Sequence, residues 1–184
     1  MRLLTLSLSC LFALALTGCG QNAGTPAAKS EKSSTPTAAS EAATPADPAF
    51  LLTEQPADAV GVGKAHKESK DEEDVTIVGR IGGSTKPFVE GMAVFTIVDP
   101  KLSPCPDDEG CPTPWDYCCT PGADLKGNKA TVKLVSGDGT PVAKDARNLL
   151  GVKELTHVVV HGKAKRDDKG NLTVIAEKVF VKKD

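Results

Sequence analysis

From Val75 onward, apolar and polar residues alternate with period two, the signature of strands with one buried face. Val75, Ile77, Gly79 and Ile81 fall on one side of the first such run, and Thr76, Val78 and Arg80 on the other. Gly82-Gly83 and Lys86-Pro87 mark a loop after it. Ala93 to Val98 is a second strand, stopped by the turn pair Asp99-Pro100. Ala130 to Val135 is a third, ending at Ser136-Gly-Asp-Gly139. Ala143 to Leu150 suits a helix, with Gly151 placed to cap its C-terminus. Val158 to Ala164 and Leu172 to Val181 form a closing hairpin around the turn Asp167–Asn171. The predicted order is three strands, one short helix, and two strands.

The register Val75-x-x-x-Gly79-x-Ile81, Phe95-x-Ile97-x-Asp99, Val158-x-Val160-x-Gly162-x-Ala164 and Leu172-x-Val174-x-Ala176 resembles an OB-fold. That resemblance implies a mainly β domain over 74–184, a small five-stranded, partly open Greek-key barrel with its helix between strands three and four. Gly79 and Gly162 fit where barrel strands bend. About 110 residues support one modest core and no second domain. Residues 100–129 then form a Cys-rich insertion between strands two and three, and long loops on a rigid scaffold are where function concentrates.

The segment before the strands has a different character. Residues 1–18 carry a charged start, a short apolar run and small residues, the pattern of an export signal. Leu16-Thr17-Gly18-Cys19 resembles the lipobox of bacterial lipoproteins, which implies cleavage before Cys19 and acylation of that residue. The expected location is the cell envelope, with the chain held on a membrane, facing the periplasm or the outer surface, by its lipid anchor. Residues 19–73 are rich in Ala, Ser, Thr and Pro at first and end in the charged run from Lys64 to Asp74, which includes His66. They read as a disordered linker with a reach of about 40 Å. Phe50-Leu51-Leu52 is its first apolar cluster after the signal.

Charge narrows the partners. The chain holds 22 basic and 24 acidic residues. Residues 74–184 carry sixteen and fifteen of these, so the folded part is nearly neutral. A nucleic-acid binder shows a basic excess, so oligonucleotide binding on the barrel face is the weakest reading. Lys163, Lys165, Arg166 and Lys169 do form a basic hairpin, offset by Asp167 and Asp168.

The chemistry concentrates in the insertion. Four of the six cysteines lie there, spaced Cys105-x5-Cys111-x6-Cys118-Cys119, in a run from Cys105 to Pro121 that also holds four prolines and the single Trp and Tyr. Pro106, Pro112, Pro114 and Pro121 exclude a regular helix or central strand. Export favours two disulfides, each tying one of Cys118 and Cys119 to Cys105 or Cys111. Four soft thiolates also suit zinc or copper, although no C-x2–4-C knuckle is present. Thiol redox chemistry lacks a C-x-x-C motif. Trp115 and Tyr117 face the same way if the chain is extended there, as a contact surface for a protein, peptide or glycan, or else they fill the loop's own small core. Asp107, Asp108 and Glu109 form an acidic turn without an EF-hand pattern. On a strand His157 and His161 share a face but stand roughly 13 Å apart, too far for one ion. The run Cys111-Pro-Thr-Pro-Trp115-Asp-Tyr117-Cys118-Cys119 resembles the loop of an uncharacterised family of secreted or lipid-anchored bacterial proteins with a CPTPWDYCC-like loop, a resemblance that implies no activity. No Ser–His–Asp set, H-E-x-x-H motif or dinucleotide fingerprint is present, since no helix follows Gly82-Gly83. The expected function is that of a binding or scaffolding module and not an enzyme, its Cys-rich loop being the recognition surface. Metal binding by the thiolates is the alternative.

Overall fold

The computed structural model describes residues 46–106 and 110–183. The export signal, Cys19, the linker up to residue 45 and the acidic turn Asp107–Glu109 lie outside them. Among the described residues, no helix is long and apolar enough to cross a membrane.

The protein is mainly β, with six strands in one mixed sheet. They are β1 (Val60–Gly61), β2 (Asp74–Ile81), β3 (Val94–Val98), β4 (Lys129–Leu134), β5 (His157–Arg166) and β6 (Leu172–Val181). Three short helices accompany them: α1 (Val62–Glu68), α2 (Gly122–Gly127) and α3 (Ala146–Leu150). β2 pairs antiparallel with β3, β3 with β4, and β6 with β5, while β4 and β6 run parallel. β5 also pairs along β2, from Asp74↔Lys163 to Arg80↔His157. The pairings therefore run from β2 through β3, β4, β6 and β5 back to β2.

The period-two pattern explains the core. Ile77, Ile81, Phe95, Ile97, Val132, Leu134, Val158, Val160, Leu172 and Val174 are all buried on the inner face. Gly162 is needed by close approach. A Cβ there would lie 2.1 Å from the Ile175 carbonyl oxygen, next to a register shift between His161 and Gly162. α3 is shorter than the predicted 143–150 because Asp145 takes the N-cap, accepting from the Arg147 amide. Gly151 closes the helix in the left-handed region, as its position predicts.

Two expectations need correction. The strands number six, not five, because β1 pairs parallel with β2 at Ile77 and Val78. The ordered region also begins well before residue 74. A 3-10 turn at Pro48–Phe50 and helix α1 fall inside the expected linker, and α1 buries Val62 and Ala65 against the core. The charged run conceals this helix because its main support comes from far along the chain. The Arg166 guanidinium donates to the carbonyls of Ala65, His66 and Ser69 at the C-terminal end of α1. Burial, and then the Arg166 charge, hold the His66 pKa below its ordinary value. Arg166→Ala is expected to cost about 2 kcal/mol, the range for hydrogen bonds from a charged donor. Urea unfolding reads the loss, and amide exchange over 62–68 should rise with it.

Candidate thiolate site

The insertion leaves the sheet at Val98 and returns at Lys129, and these two residues are paired across β3 and β4. Its base is pinned. Asp99, 5 % exposed, accepts from the Gly63 amide at 2.7 Å and the Lys101 amide at 3.0 Å. The Asp99 amide in turn donates to the Asn128 carbonyl.

Within the loop the prolines and a single aromatic ring set the path. Pro114–Asp116 is a 3-10 turn, with Pro114 at its start where no amide donor is required. Tyr117 ends the turn at φ 61°, a left-handed conformation that is costly for a bulky residue. Its side chain is fully buried, and burial offsets that cost. Burial also pushes the phenol pKa up, so the hydroxyl keeps its proton. Arg80 on β2 donates to the Tyr117 hydroxyl and the Leu102 carbonyl, both at 3.4 Å, and to His157 Nε2 at 3.2 Å. The loop lies close on the segment after β2. The Gly83 amide donates to the Trp115 carbonyl at 2.7 Å, and a Cβ on Gly82 would sit 2.5 Å from the same oxygen.

These contacts decide between the two aromatic readings for Tyr117. The chain at Trp115 is a 3-10 turn, not extended, so the two rings do not share a face. Tyr117 is loop core and is unavailable as a contact surface. Trp115 is half-buried, and its Nε1 donates to the Thr85 carbonyl. Arg80 and Gly82 are the positioning residues that sequence reasoning did not single out. The signal for Arg80 was present: a long cation on the outer face of a strand, beside two apolar or hydroxyl neighbours.

The cysteines converge. Cys118 Sγ lies 3.3 Å from Cys105 Sγ, 3.6 Å from Cys111 Sγ and 3.8 Å from Cys119 Sγ. None of these is the bonding distance of about 2.05 Å, so none of the three contacts is a disulfide in this structure. Ligand atoms of Cys105, Cys111, Asp116 and Cys118 all lie within 4.8 Å of one another, and Cys119 falls outside that group. Cys105 is buried, Cys111 half-buried, and Cys118 and Cys119 exposed. The Cys119 amide, donating to Cys105 Sγ, holds that thiol below the usual range. Cys118 is pushed the other way by its bonds to the Cys105, Cys111 and Cys119 sulfurs. Asp116 is kept ionised by the Thr113 hydroxyl and by the Cys118 amide, which donates to it at 2.8 Å.

The other candidates are engaged elsewhere. His157 and His161 both lie on β5, half-buried; His161 Nδ1 meets the Thr76 hydroxyl at 3.0 Å and His157 takes the Arg80 bond. Lys163 pairs with Asp74 at 2.7 Å, and Lys165 with Glu72 and Asp71. With Arg166 on α1, three of the four hairpin cations already have acidic or carbonyl partners.

No known protein family matches the chain, and no curated protein matches it.

Proposed function

We propose that this chain is a lipid-anchored cell-envelope protein whose OB-like barrel presents a thiolate metal centre for zinc or copper(I). The convergence of Cys105, Cys111 and Cys118 on one point, with Asp116 beside them, carries the reading. Tetrahedral zinc with Zn–S bonds of about 2.3 Å holds its sulfurs about 3.8 Å apart. The observed separations of 3.3–3.8 Å need little adjustment to fit. The donor set is soft, as zinc and copper(I) prefer. Asp116, the fourth member of the group, is placed to complete a fourth position. A bound ion would neutralise thiolates that otherwise crowd one another, and would hold a Pro-rich loop with no strand ladder of its own.

The barrel assignment is supported by the parallel β4–β6 pair, the helix between β4 and β5, and the return of β5 to β2. The anchor at Cys19 rests on the lipobox, and export follows from the signal. The protein's partners on this reading are the membrane, through its lipid, and the metal ion. A protein, peptide or glycan partner would meet the loop on its exposed side. Nucleic acid is disfavoured, because three of the four hairpin cations already have partners.

The test is a titration of the full chain, recovered from the membrane fraction in detergent and reduced under anaerobic conditions, with Zn²⁺ and with Cu⁺. One ion per chain is expected, and Cys118→Ser should abolish stoichiometric uptake. A reduced chain with four reactive loop thiols that takes up neither ion overturns the metal reading and leaves a scaffolding loop.

A further inference from the structure

The sulfur geometry points to more than a static metal centre. We propose that the same four cysteines form a thiol–disulfide switch, in which oxidation closes Cys105–Cys119 and Cys111–Cys118 and expels the ion. The switch rests on the metal reading for its reduced state only; the pairing of the oxidised state stands on the contacts themselves.

Four cysteines allow three pairings. Joining Cys118 to Cys119 closes a strained ring between adjacent residues, although the Cys105 and Cys111 sulfurs lie within 4.8 Å of one another. Joining Cys105 to Cys118, the nearest pair at 3.3 Å, leaves Cys111 to find Cys119. That pairing gives up the 3.6 Å contact that Cys111 already makes with Cys118. The third pairing uses contacts that already exist. Cys105 is hydrogen-bonded to both the amide and the thiol of Cys119. Cys111 Sγ lies 3.6 Å from Cys118 Sγ. Closing that bond shortens the separation by about 1.5 Å to a normal S–S length. Of the two pairings without a ring between adjacent residues, it is the one that keeps both of these contacts.

The surroundings suit such a change. Cys118 and Cys119 are exposed, so an oxidant reaches them first, while Cys105 is buried beneath. The Pro-rich path, the buried Tyr117 and the pinned base at Asp99 hold the loop in place while its sulfurs re-pair. The reaction balances with a low-molecular-weight disulfide as oxidant. A protein thiolate attacks it, giving a mixed disulfide and one small thiolate; the neighbouring cysteine then displaces the second small thiolate and completes the bridge. Two small disulfides are reduced to four small thiolates, and four protein sulfurs are oxidised to two bridges. A disulfide sulfur carries no thiolate charge, so the cation loses its donors and leaves to solvent. An oxidising envelope thus empties and locks the loop, and a reducing input opens it for metal.

The experiment uses the reduced, zinc-loaded full chain titrated with oxidised glutathione, with a chromogenic zinc indicator in solution. Loop thiols are expected to fall from four to none as one zinc per chain appears. Because Cys118 and Cys119 are adjacent, single variants assign the bridges. Cys111→Ser and Cys118→Ser should each give the Cys105–Cys119 bridge by fragmentation mass spectrometry, leaving one loop thiol free. A Cys105–Cys118 bridge in Cys111→Ser, or no bridge in Cys118→Ser, overturns the pairing. Zinc retained after all four thiols are consumed overturns the coupling. If the reduced chain takes up no metal, the metal reading fails, while the mapped bridges still decide the pairing.

Discussion

Tyr117→Ala is expected to destabilise the protein by about 3–5 kcal/mol, the range for removing a large buried aromatic. The ring is the largest of the fully buried side chains, although it belongs to a loop and not to a strand. Its removal opens a cavity between the insertion and the sheet and leaves Arg80 with fewer partners for its guanidinium. It also frees a residue held at φ 61°, so the turn that aims Cys118 and Cys119 relaxes. Tyr117→Phe is the control. It keeps the ring and loses one long hydrogen bond, at a cost of about 1 kcal/mol or less. Urea unfolding of both variants, with unchanged m-values, measures the difference. If Tyr117→Ala shifts the midpoint no more than Tyr117→Phe, the loop is not packed as a part of the core.

The second large effect is expected at Gly162. Gly162→Val places a side chain 2.1 Å from the Ile175 carbonyl oxygen, a backbone atom that cannot rotate away. Either β5 and β6 separate there or the register shift between His161 and Gly162 moves. A cost above about 4 kcal/mol is expected, at the far end of single-substitution effects, with failure to fold as the limiting case. Gly79→Ala is milder in kind. The added carbon meets Ile97 Cδ1 at 2.8 Å, which can rotate away, and Ile97 Cβ at 2.9 Å, which yields only if the strand shifts, whereas at Gly162 the nearest atoms are all backbone. Comparing midpoints for the two variants separates backbone approach from side-chain crowding. Equal and small losses would show that β5 is not held as closely on β6 as its pairing implies.

Much of the sheet was legible because alternation is a local property. Ile77, Phe95, Ile97, Val132, Val158, Val160 and Val174 announce their inner face within a few residues of chain, and each is buried. The stops were equally local: Asp99-Pro100, Ser136–Gly139 and Asp167–Asn171 all carry turn chemistry. What could not be read was support from a distance. Helix α1 offers only Val62 and Ala65 as apolar anchors and depends on Arg166, some hundred residues later. β1 is two residues long and exists because β2 continues beyond the reach of β3. The same holds at the site. Cysteine spacing located the chemistry, and proline content showed that the loop is irregular. Which sulfurs meet depended on the 3-10 turn at Pro114–Asp116 and on the left-handed backbone of Tyr117. Tyr117 itself could not be sorted between contact surface and core, since the partner that decides, Arg80, lies on a strand 37 positions away.

The pairing of Val98 with Lys129 has a consequence for how such a protein could arise and be rebuilt. The insertion enters and leaves at adjacent points on two neighbouring antiparallel strands. Cutting at these points and joining β3 to β4 by a short hairpin turn would restore an ordinary strand connection. The loop is therefore a cassette with a two-point attachment, separable in principle from its carrier. Arg80 sets the limit on that exchange. A carrier stripped of the cassette would expose a guanidinium shaped for the Tyr117 hydroxyl and the Leu102 carbonyl, and a cassette moved elsewhere would need an equivalent cation beneath it. Strand connection makes the loop portable, and a single arginine makes the host specific.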